Sequence, residues 1–193
     1  MQNTQLITVY IESSPNPNSI KFMLSTMLMA DGISKDFLNA ETAQDSPLAQ
    51  ALFAEYAFIT RIFLSQNFIT VSKDDSIAWE EVSAGIRQFI MDYFEAGELV
   101  FAEDLPDSKV ELNDDNEKVK RIKEILNEYI RPAVEMDGGA IDFESFEEEI
   151  GKLTVVLKGS CHGCPSSMVT LKSGIENLFS HMMPEVKEVV AAA

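Results

Sequence analysis

Cysteine and histidine are scarce in this chain, which has two of each among 193 residues. Both cysteines, Cys161 and Cys164, lie within one tetrapeptide, so they cannot staple distant segments of the chain. This excludes the disulfide scaffold of small secreted proteins. In a chain without such a scaffold, a Cys-x-x-Cys pair indicates a metal site or a redox site.

Basic residues are also few: 15 Lys and Arg stand against 32 Asp and Glu, which gives a formal net charge of −17 and a pI of about 4.4. Binding to nucleic acid or to an anionic membrane needs a surface of Lys and Arg. No uncharged apolar run reaches the roughly 18 residues of a membrane span. We therefore expect neither nucleic acid nor a membrane as a partner, and we expect docking onto proteins with basic patches.

A recognisable leader is absent from the first residues, MQNTQLITVYIESS. They contain no basic segment followed by an apolar core, which a signal peptide would have, and no Arg-rich amphipathic pattern, which is typical of a transit peptide. We therefore expect the protein in the cytoplasm.

The region from residue 1 to 102 has the pattern of a small α+β domain. β-Branched runs separated by turn formers indicate strands, and apolar residues spaced three and four apart indicate a helix. Ser46-Pro47 combines a capping residue with a proline at the first helical position. Strands joined by short turns, with two helices, predict a short, mostly antiparallel sheet packed with helices. The predicted strands are Leu6–Ile11, Ile20–Leu24, Phe58–Leu64 and Phe68–Val71, and the predicted helices are Leu48–Tyr56 and Trp79–Glu95.

Residues 103–115 interrupt this periodicity with acidic residues, a proline and other polar residues, which indicates a linker. The region 116–193 then predicts a second small α+β domain in the order α-β-β-α-β, again with a short and mostly antiparallel sheet. Its predicted elements are a helix over 119–130 that Pro132 kinks or restarts and Gly138-Gly139 ends, strands Ala140–Phe146 and Lys152–Lys158, a helix from Pro165, and a strand Val186–Val190.

The Cys-x-x-Cys motif lies between a predicted strand and the helix that begins at Pro165. Cys164 therefore takes the N-cap position, where unpaired backbone N–H groups and the positive end of the helix dipole favour a thiolate. Gly159 and Gly163 allow the backbone to come close to whatever is bound. Two thiolates separated by two residues can chelate one metal ion or two adjacent irons of a cluster. Because the motif lies in a loop and at a cap, we expect its cysteines to contribute little to core packing.

The residues alone leave several classes open. A strand, Cys-x-x-Cys and a helix also form the site of thiol–disulfide oxidoreductases, and Pro184 before a later strand fits that class. Yet no aromatic residue precedes Cys161, and the first strands of the domain look like a hairpin. A structural zinc site wants four ligands, but His162 lies inside the motif and His181 a helix length away. Iron–sulfur clusters are normally held by four cysteines, so two per chain imply two chains, or one chain and a small thiol. A protein-interaction module would leave both thiols unused.

Longer motifs extend well beyond the two cysteines. In the second domain they are Ile130-Arg131-Pro132, Asp137-Gly138-Gly139, Gly159-Ser160-Cys161-His162-Gly163-Cys164-Pro165-Ser166-Ser167, Thr170-Leu171-Lys172 and Gly174-Ile175-Glu176. In the first they are Pro15-Asn16-Pro17-Asn18-Ser19-Ile20-Lys21-Phe22, Asn67-Phe68-Ile69-Thr70-Val71 and Trp79. With these motifs, residues 119–190 resemble the NifU C-terminal domain family of Nfu-type iron–sulfur carriers, and the first domain resembles the Nfu N-terminal domain. One position departs from the pattern: many members have an acidic residue after Gly-Gly, where this chain has Ala140.

The resemblance implies a non-enzymatic scaffold or carrier that holds a 4Fe–4S cluster between the Cys161 and Cys164 pairs of two subunits. These two cysteines are then the cluster-binding and metal-ligating residues, and no residue is catalytic. The implied partners are a second copy of the chain in a cluster-bridged homodimer, an upstream scaffold, and apo iron–sulfur client proteins. The alternative is a thiol–disulfide oxidoreductase that uses the same two cysteines. The first domain carries no cysteine, so its expected role is docking or positioning.

Overall fold

A computed structural model describes residues 7–102, 116–162 and 165–192 of the chain, and the side chains of residues 165–169 lie outside that description. Across these three ranges, no helix is long and apolar enough to cross a membrane.

The chain divides into two compact units, Met1–Val110 and Glu111–Ala193. The predicted linker, 103–115, lies outside the described residues. The domain boundaries given above therefore stay predictions, and each unit is described by itself.

The first unit is a five-stranded antiparallel sheet with two helices. The strands lie in the spatial order β1-β2-β5-β4-β3, and each adjacent pair is antiparallel. Its elements are β1 (Val9–Ser13), β2 (Ser19–Leu24), β3 (Ser34–Phe37), α1 (Pro47–Glu55), β4 (Ile59–Ser65), β5 (Phe68–Lys73) and α2 (Trp79–Glu95).

The core of the first unit forms between the sheet and both helices. Ile20, Phe22 and Leu24 alternate along β2, so they lie on one face of the sheet. All three are buried in one apolar cluster with Leu52 of α1 and Ile90 of α2. The alternating apolar pattern of the strand and the three-and-four spacing of the helices thus meet in one core.

The predicted cap of α1 is confirmed. The Ser46 hydroxyl accepts a hydrogen bond from the backbone N–H of Ala49 at 3.3 Å, and Pro47 is the first residue of the helix. The same hydroxyl donates to the carbonyl oxygen of Val100 at 2.8 Å. One buried side chain therefore starts the helix and holds the segment that follows α2.

The sequence does not predict β3, because its four residues are mostly polar and show no apolar alternation. The strand forms by pairing with β4, where the Arg61 guanidinium donates to both carboxylate oxygens of Asp36 at 2.7 and 3.0 Å. Both side chains are largely buried, with 13% and 11% exposed. β1 also continues to Ser13, beyond the predicted end at Ile11, because its pairing with β2 continues through Ser13.

The second unit contains a three-stranded sheet in the order β6-β7-β8. β6 and β7 are antiparallel, whereas β7 and β8 are parallel. Together the two units confirm the α+β class with two small sheets. The elements of the second unit are α3 (Glu117–Ile125), a π-helical turn (Leu126–Ile130), α4 (Arg131–Met136), β6 (Gly139–Glu147), β7 (Lys152–Gly159), α5 (Pro165–Met182) and β8 (Glu188–Ala192).

The predicted effect of Pro132 on the first helix of this unit is confirmed. Proline has no backbone N–H with which to continue the α-helical pattern. The N–H of Arg131 donates to the carbonyl of Leu126, five residues back, and α4 starts at Arg131. α4 ends at Met136, and Gly138 follows with a φ of +85°, a left-handed conformation that suits glycine.

A bulge in β6 keeps the core face of the second sheet continuous. The register between β6 and β7 shifts after Phe143. The extra residue turns Phe146 back to the core face, where it is paired with Leu153 and packs on the same core as Phe143. The strict alternation predicted for Ala140–Phe146 is therefore broken inside the strand.

Gly151 lies in the turn between β6 and β7 and holds the start of the last strand. Its carbonyl oxygen accepts from the backbone N–H groups of Lys187 at 2.7 Å and Glu188 at 3.2 Å. Its φ is +72°, and a Cβ there would clash with the carbonyl oxygen of Glu185. Both the backbone conformation and the close approach require glycine at this position.

Candidate metal site

The cysteine motif follows β7 and precedes α5. Gly159 ends β7 with a φ of +63°, and the backbone N–H of His162 donates to the Gly159 carbonyl at 3.2 Å, so residues 160–162 form a tight turn. α5 begins at Pro165, as predicted. Cys164 lies outside the described residues, so its N-cap position and its distance from Cys161 stay predictions.

Cys161 belongs to the apolar core of the second unit. The residue is 3% exposed and lies in the same buried cluster as Leu157 and Ile130. The expectation that this loop cysteine contributes little to packing is therefore wrong. The sequence gives no sign of this burial, because it arises from the way the turn folds back against the end of α4.

Two hydrogen bonds tie the cysteine turn to the turn that follows α4. The backbone N–H of Ser160 donates to the carbonyl of Gly138 at 3.2 Å, and the Ser160 hydroxyl donates to the carbonyl of Asp137 at 2.5 Å. Ser160 is buried, where a hydroxyl needs a partner. The Asp137-Gly138-Gly139 turn and the cysteine turn are thus held together as one structure.

Gly139 contacts Cys161 directly. It opens β6 and is paired with Gly159. A Cβ on Gly139 would lie 2.8 Å from the Sγ atom of Cys161 and 2.6 Å from the carbonyl oxygen of Lys158, which is too close for either. Its φ lies outside the left-handed region, so space rather than backbone conformation requires glycine here.

The sequence interpretation missed the role of Asp137, Gly138 and Gly139 in the site. It assigned the glycine pair to the end of a helix. One glycine is enough for that purpose, so the second glycine was the signal that could have revealed a close contact.

An ion-pair group lies on the strands beside the site. The Asp142 carboxylate is 2.7 Å from Lys158 Nζ and 4.0 Å from the Arg131 guanidinium. Arg131 also donates twice to the side-chain oxygen of Asn127, at 2.8 and 3.1 Å. Because these residues come from α4, β6, β7 and the π-helical turn, the group ties the helix to both strands next to Gly139.

The two histidines do not complete a four-ligand zinc site with Cys161 in one chain. His181 lies in the last turn of α5, where Nδ1 donates to the Asn177 carbonyl at 2.8 Å. From Pro165 to His181 the helix rises about 24 Å, whereas zinc–ligand bonds are about 2.0 to 2.3 Å. Among the described residues, no three His, Cys, Asp or Glu side chains group together to hold a metal ion.

Comparison with known proteins places this fold and motif in a class of scaffold proteins. Residues 9–97 match the family model for the scaffold protein Nfu/NifU N terminal, and residues 122–190 match the NifU-like domain. NifU-like protein 5, mitochondrial, of Arabidopsis thaliana is 38% identical over 192 residues, which cover 98% of this chain and 69% of that protein. The NFU1 iron-sulfur cluster scaffold homolog, mitochondrial, of Drosophila ananassae is 39% identical over 182 residues, which cover 94% of this chain and 63% of that protein.

The chain belongs to the NifU-like family, and the resemblance inferred from its motifs is confirmed. It spans 63 to 69% of the length of these two relatives. The solution NMR structure of a NifU-like protein from Saccharomyces cerevisiae is 25% identical, with a TM-score of 0.47, and covers 54% of this chain and 92% of that one.

The expectation of a cytoplasmic location is wrong. The relatives from Arabidopsis thaliana and Drosophila ananassae are mitochondrial proteins by name, as is NifU-like protein 4 of Arabidopsis thaliana. The expectation depended on the lack of a leader in the first residues. Because the chain covers only part of the length of its relatives, that lack says nothing about the compartment.

Proposed function

We propose that this protein is a non-enzymatic carrier that binds a 4Fe–4S cluster through Cys161 and Cys164 and transfers it to apo-proteins. The observation that carries the proposal is the cysteine turn itself. It is clamped between the end of β7 and the Asp137-Gly138-Gly139 turn, in the unit that matches the NifU-like domain. Membership in the family supports a role in iron–sulfur cluster assembly.

The number of thiols supports a cluster shared by two chains. Each chain has two cysteines, both in the motif, whereas a cluster is normally held by four. Two copies of the motif facing each other supply four thiolates. The cluster is then cargo at a subunit boundary, where an incoming cysteine of a client can replace one ligand at a time by thiolate exchange at iron.

The charge of the chain supports partners with basic surfaces. With a formal net charge of −17, the protein attracts basic patches at long range and speeds their encounter. We infer that apo iron–sulfur clients and an upstream scaffold approach through such patches. No described contact favours a thiol–disulfide oxidoreductase. That activity is therefore one of the results that would contradict the proposal in the test below.

The test is anaerobic reconstitution of the full chain with iron and sulfide, followed by sizing through light scattering. We expect a brown protein with broad visible absorption, a change from apo-protein to dimer, and about four irons per two chains. A holo-protein that stays monomeric without an added thiol would contradict the shared cluster. A colourless product that reduces insulin disulfides would favour the oxidoreductase.

A further inference from the structure

The burial of Cys161 has a specific structural cause. Its sulfur faces the α-carbon of Gly139, close enough that a Cβ on that residue would lie 2.8 Å from Sγ and 3.3 Å from the Cys161 Cβ. The Ser160 hydrogen bonds to Asp137 and Gly138 hold the backbone of the cysteine turn in register with this contact. The position of the sulfur is therefore set by a segment that lies 22 to 24 residues earlier in the chain.

We propose that Gly139 is a positioning residue for the cluster site. Because it has no side chain, the Cys161 thiol packs directly against its α-carbon, a contact that we call the seat. The seat orients the sulfur for metal binding and keeps it buried while the site is empty. The link to the cluster rests on the proposed function. The sheltering is a property of the apo-protein and can be measured separately.

The burial of the Cys161 thiol leads to a prediction about its rate of alkylation. A reagent reaches a buried thiol when the surrounding turn opens, so its rate follows the local opening equilibrium. A Cβ at residue 139 overpacks the closed turn and therefore favours its opening. A shift of one to two kcal/mol in that equilibrium corresponds to a factor of about 5 to 30. We expect the alkylation rate of Cys161 to rise by that factor in Gly139→Ala.

Two other glycines of the same unit provide matched controls. Gly151 has equally little room, but the atoms that a Cβ would meet belong to Glu185 and Lys187. Gly174 lies in α5, and a Cβ there would meet nothing within 4 Å. Gly151→Ala therefore reports general damage to the unit, and Gly174→Ala reports the effect of an added methyl group alone.

The first measurement is alkylation of the full apo-protein in a Cys164→Ser background, where Cys161 is the sole thiol. Modification by iodoacetamide is followed by intact mass under native conditions. Gly139→Ala should react about 5 to 30 times faster than the parent, and Gly174→Ala should match the parent. An unchanged rate in Gly139→Ala, or an equal rise in Gly151→Ala, would overturn the proposal.

The second measurement is a double-mutant cycle between Gly139→Ala and Cys161→Ala, read as shifts in the unfolding midpoint. Removing Sγ relieves one of the two clashes, so Gly139→Ala should lower the midpoint less in the Cys161→Ala background. The clash with the Lys158 carbonyl is present in both backgrounds, so it cancels from the difference between the two midpoint shifts. Equal shifts would mean that the sulfur does not sit on Gly139, which would refute the seat.

The third measurement connects the seat to the cluster. With both cysteines present, Gly139→Ala should lose most of its iron per folded chain after reconstitution, or show an altered visible circular-dichroism spectrum. Gly151→Ala should keep the wild-type spectrum per folded chain. A wild-type spectrum and iron content in Gly139→Ala would overturn the positioning role. If the wild-type chain takes up no cluster, the proposed function fails, and the alkylation rates and the cycle still decide whether Gly139 seats the thiol.

Discussion

The two units of this protein use glycine in different ways. In the first unit, Gly32 and Gly97 have positive φ values, and a side chain on Gly97 would meet open space. In the second unit, Gly138 and Gly159 have positive φ values on either side of the Cys161 contact, and Gly151 has one at a crowded junction. The first unit thus uses these glycines to turn the chain, whereas the second also uses them to bring backbone close to other atoms.

The same contrast appears in the chemistry. Residues 1–106 contain 5 basic and 15 acidic residues and no cysteine. The second unit has the smaller sheet and carries both thiols, and one of them is part of its core. A site built into a small core couples ligand chemistry to folding, so the two units should respond differently to the substitutions that follow.

Replacing either cysteine should have the largest effect. Cys161→Ser or Cys164→Ser removes one of two thiolates per chain and should abolish stable cluster binding, measured as iron per chain after reconstitution. Because Cys161 is buried in the apolar core, its serine variant should also lose about 1 to 3 kcal/mol of unfolding free energy, the cost of moving a hydroxyl into an apolar environment. His162→Ala, in the same turn, is the control and should keep its iron. Normal iron in either serine variant would refute the assignment of the ligands.

Breaking the Arg61–Asp36 ion pair should destabilise the first unit and leave the second unit unaffected. Asp36→Ala leaves the largely buried Arg61 guanidinium without this partner; in a fully buried pair that change costs about 3 to 5 kcal/mol, so we expect a smaller cost here. The single tryptophan, Trp79, lies in α2, so its fluorescence reports unfolding of the first unit. We expect a lower fluorescence midpoint and unchanged iron uptake.

The control for this prediction is the neighbouring exposed pair of Lys35 and Asp45. Lys35→Ala should cost less than about 1 kcal/mol, as exposed pairs generally do. Loss of iron uptake in Asp36→Ala at a temperature where the protein is folded would show that the units are not independent.

Adding a methyl group at left-handed glycines should sharpen the comparison. Gly97→Ala should cost about 1 to 2 kcal/mol, because only the unfavourable φ matters there. Gly151→Ala should cost about 2 to 4 kcal/mol, because overpacking against Glu185 adds to the same conformational cost. Chemical denaturation followed by circular dichroism measures both. Equal losses would mean that the junction at Gly151 adapts to the methyl group.

The smallest effect should be a gain. Gly174 lies exposed inside α5 with open space around its α-carbon. Alanine favours the helical conformation over glycine by about 0.5 to 1 kcal/mol. Gly174→Ala should raise the unfolding free energy of the second unit by that amount, as followed by circular dichroism. A loss of stability would contradict the open surroundings of this position.

Elements with a strong local signal could be predicted from the sequence. β2 and β5 have continuous apolar and β-branched runs, and α2 has regular apolar spacing, so their positions follow from residues close in the chain. β3 and the parallel pairing of β8 depend on partners far along the chain. The Arg61–Asp36 pair holds β3 against β4, and the Gly151 carbonyl holds the start of β8. Neither interaction has a local signature in the sequence.

The candidate site divides in the same way. The motif predicts Cys161 and Cys164 as ligands, because the spacing of two thiols is a local property. The burial of Cys161 and the space that it requires at Gly139 come from two segments that meet only in the folded unit. A glycine needed for space looks the same in the sequence as one needed for a turn, so the second glycine of the pair signals a close contact but does not identify Cys161 as the residue it approaches.

The π-helical turn before Pro132 determines which side of α4 faces the core. The buried residues Ile122, Leu126, Ile130 and Val134 recur every four positions. In an uninterrupted α-helix, at about 100° per residue, the last of them would lie about 120° around the axis from the first. The wider turn takes up most of that drift, so α4 still faces the core when it delivers the Asp137-Gly138-Gly139 turn to the cysteine. A regular α-helix over the same residues would rotate α4 about a third of a circle away from the core and leave the thiol without its seat, whereas deleting one residue from Leu126–Ile130 would restore the facing, because eleven residues at about 100° each end only about 20° from the start.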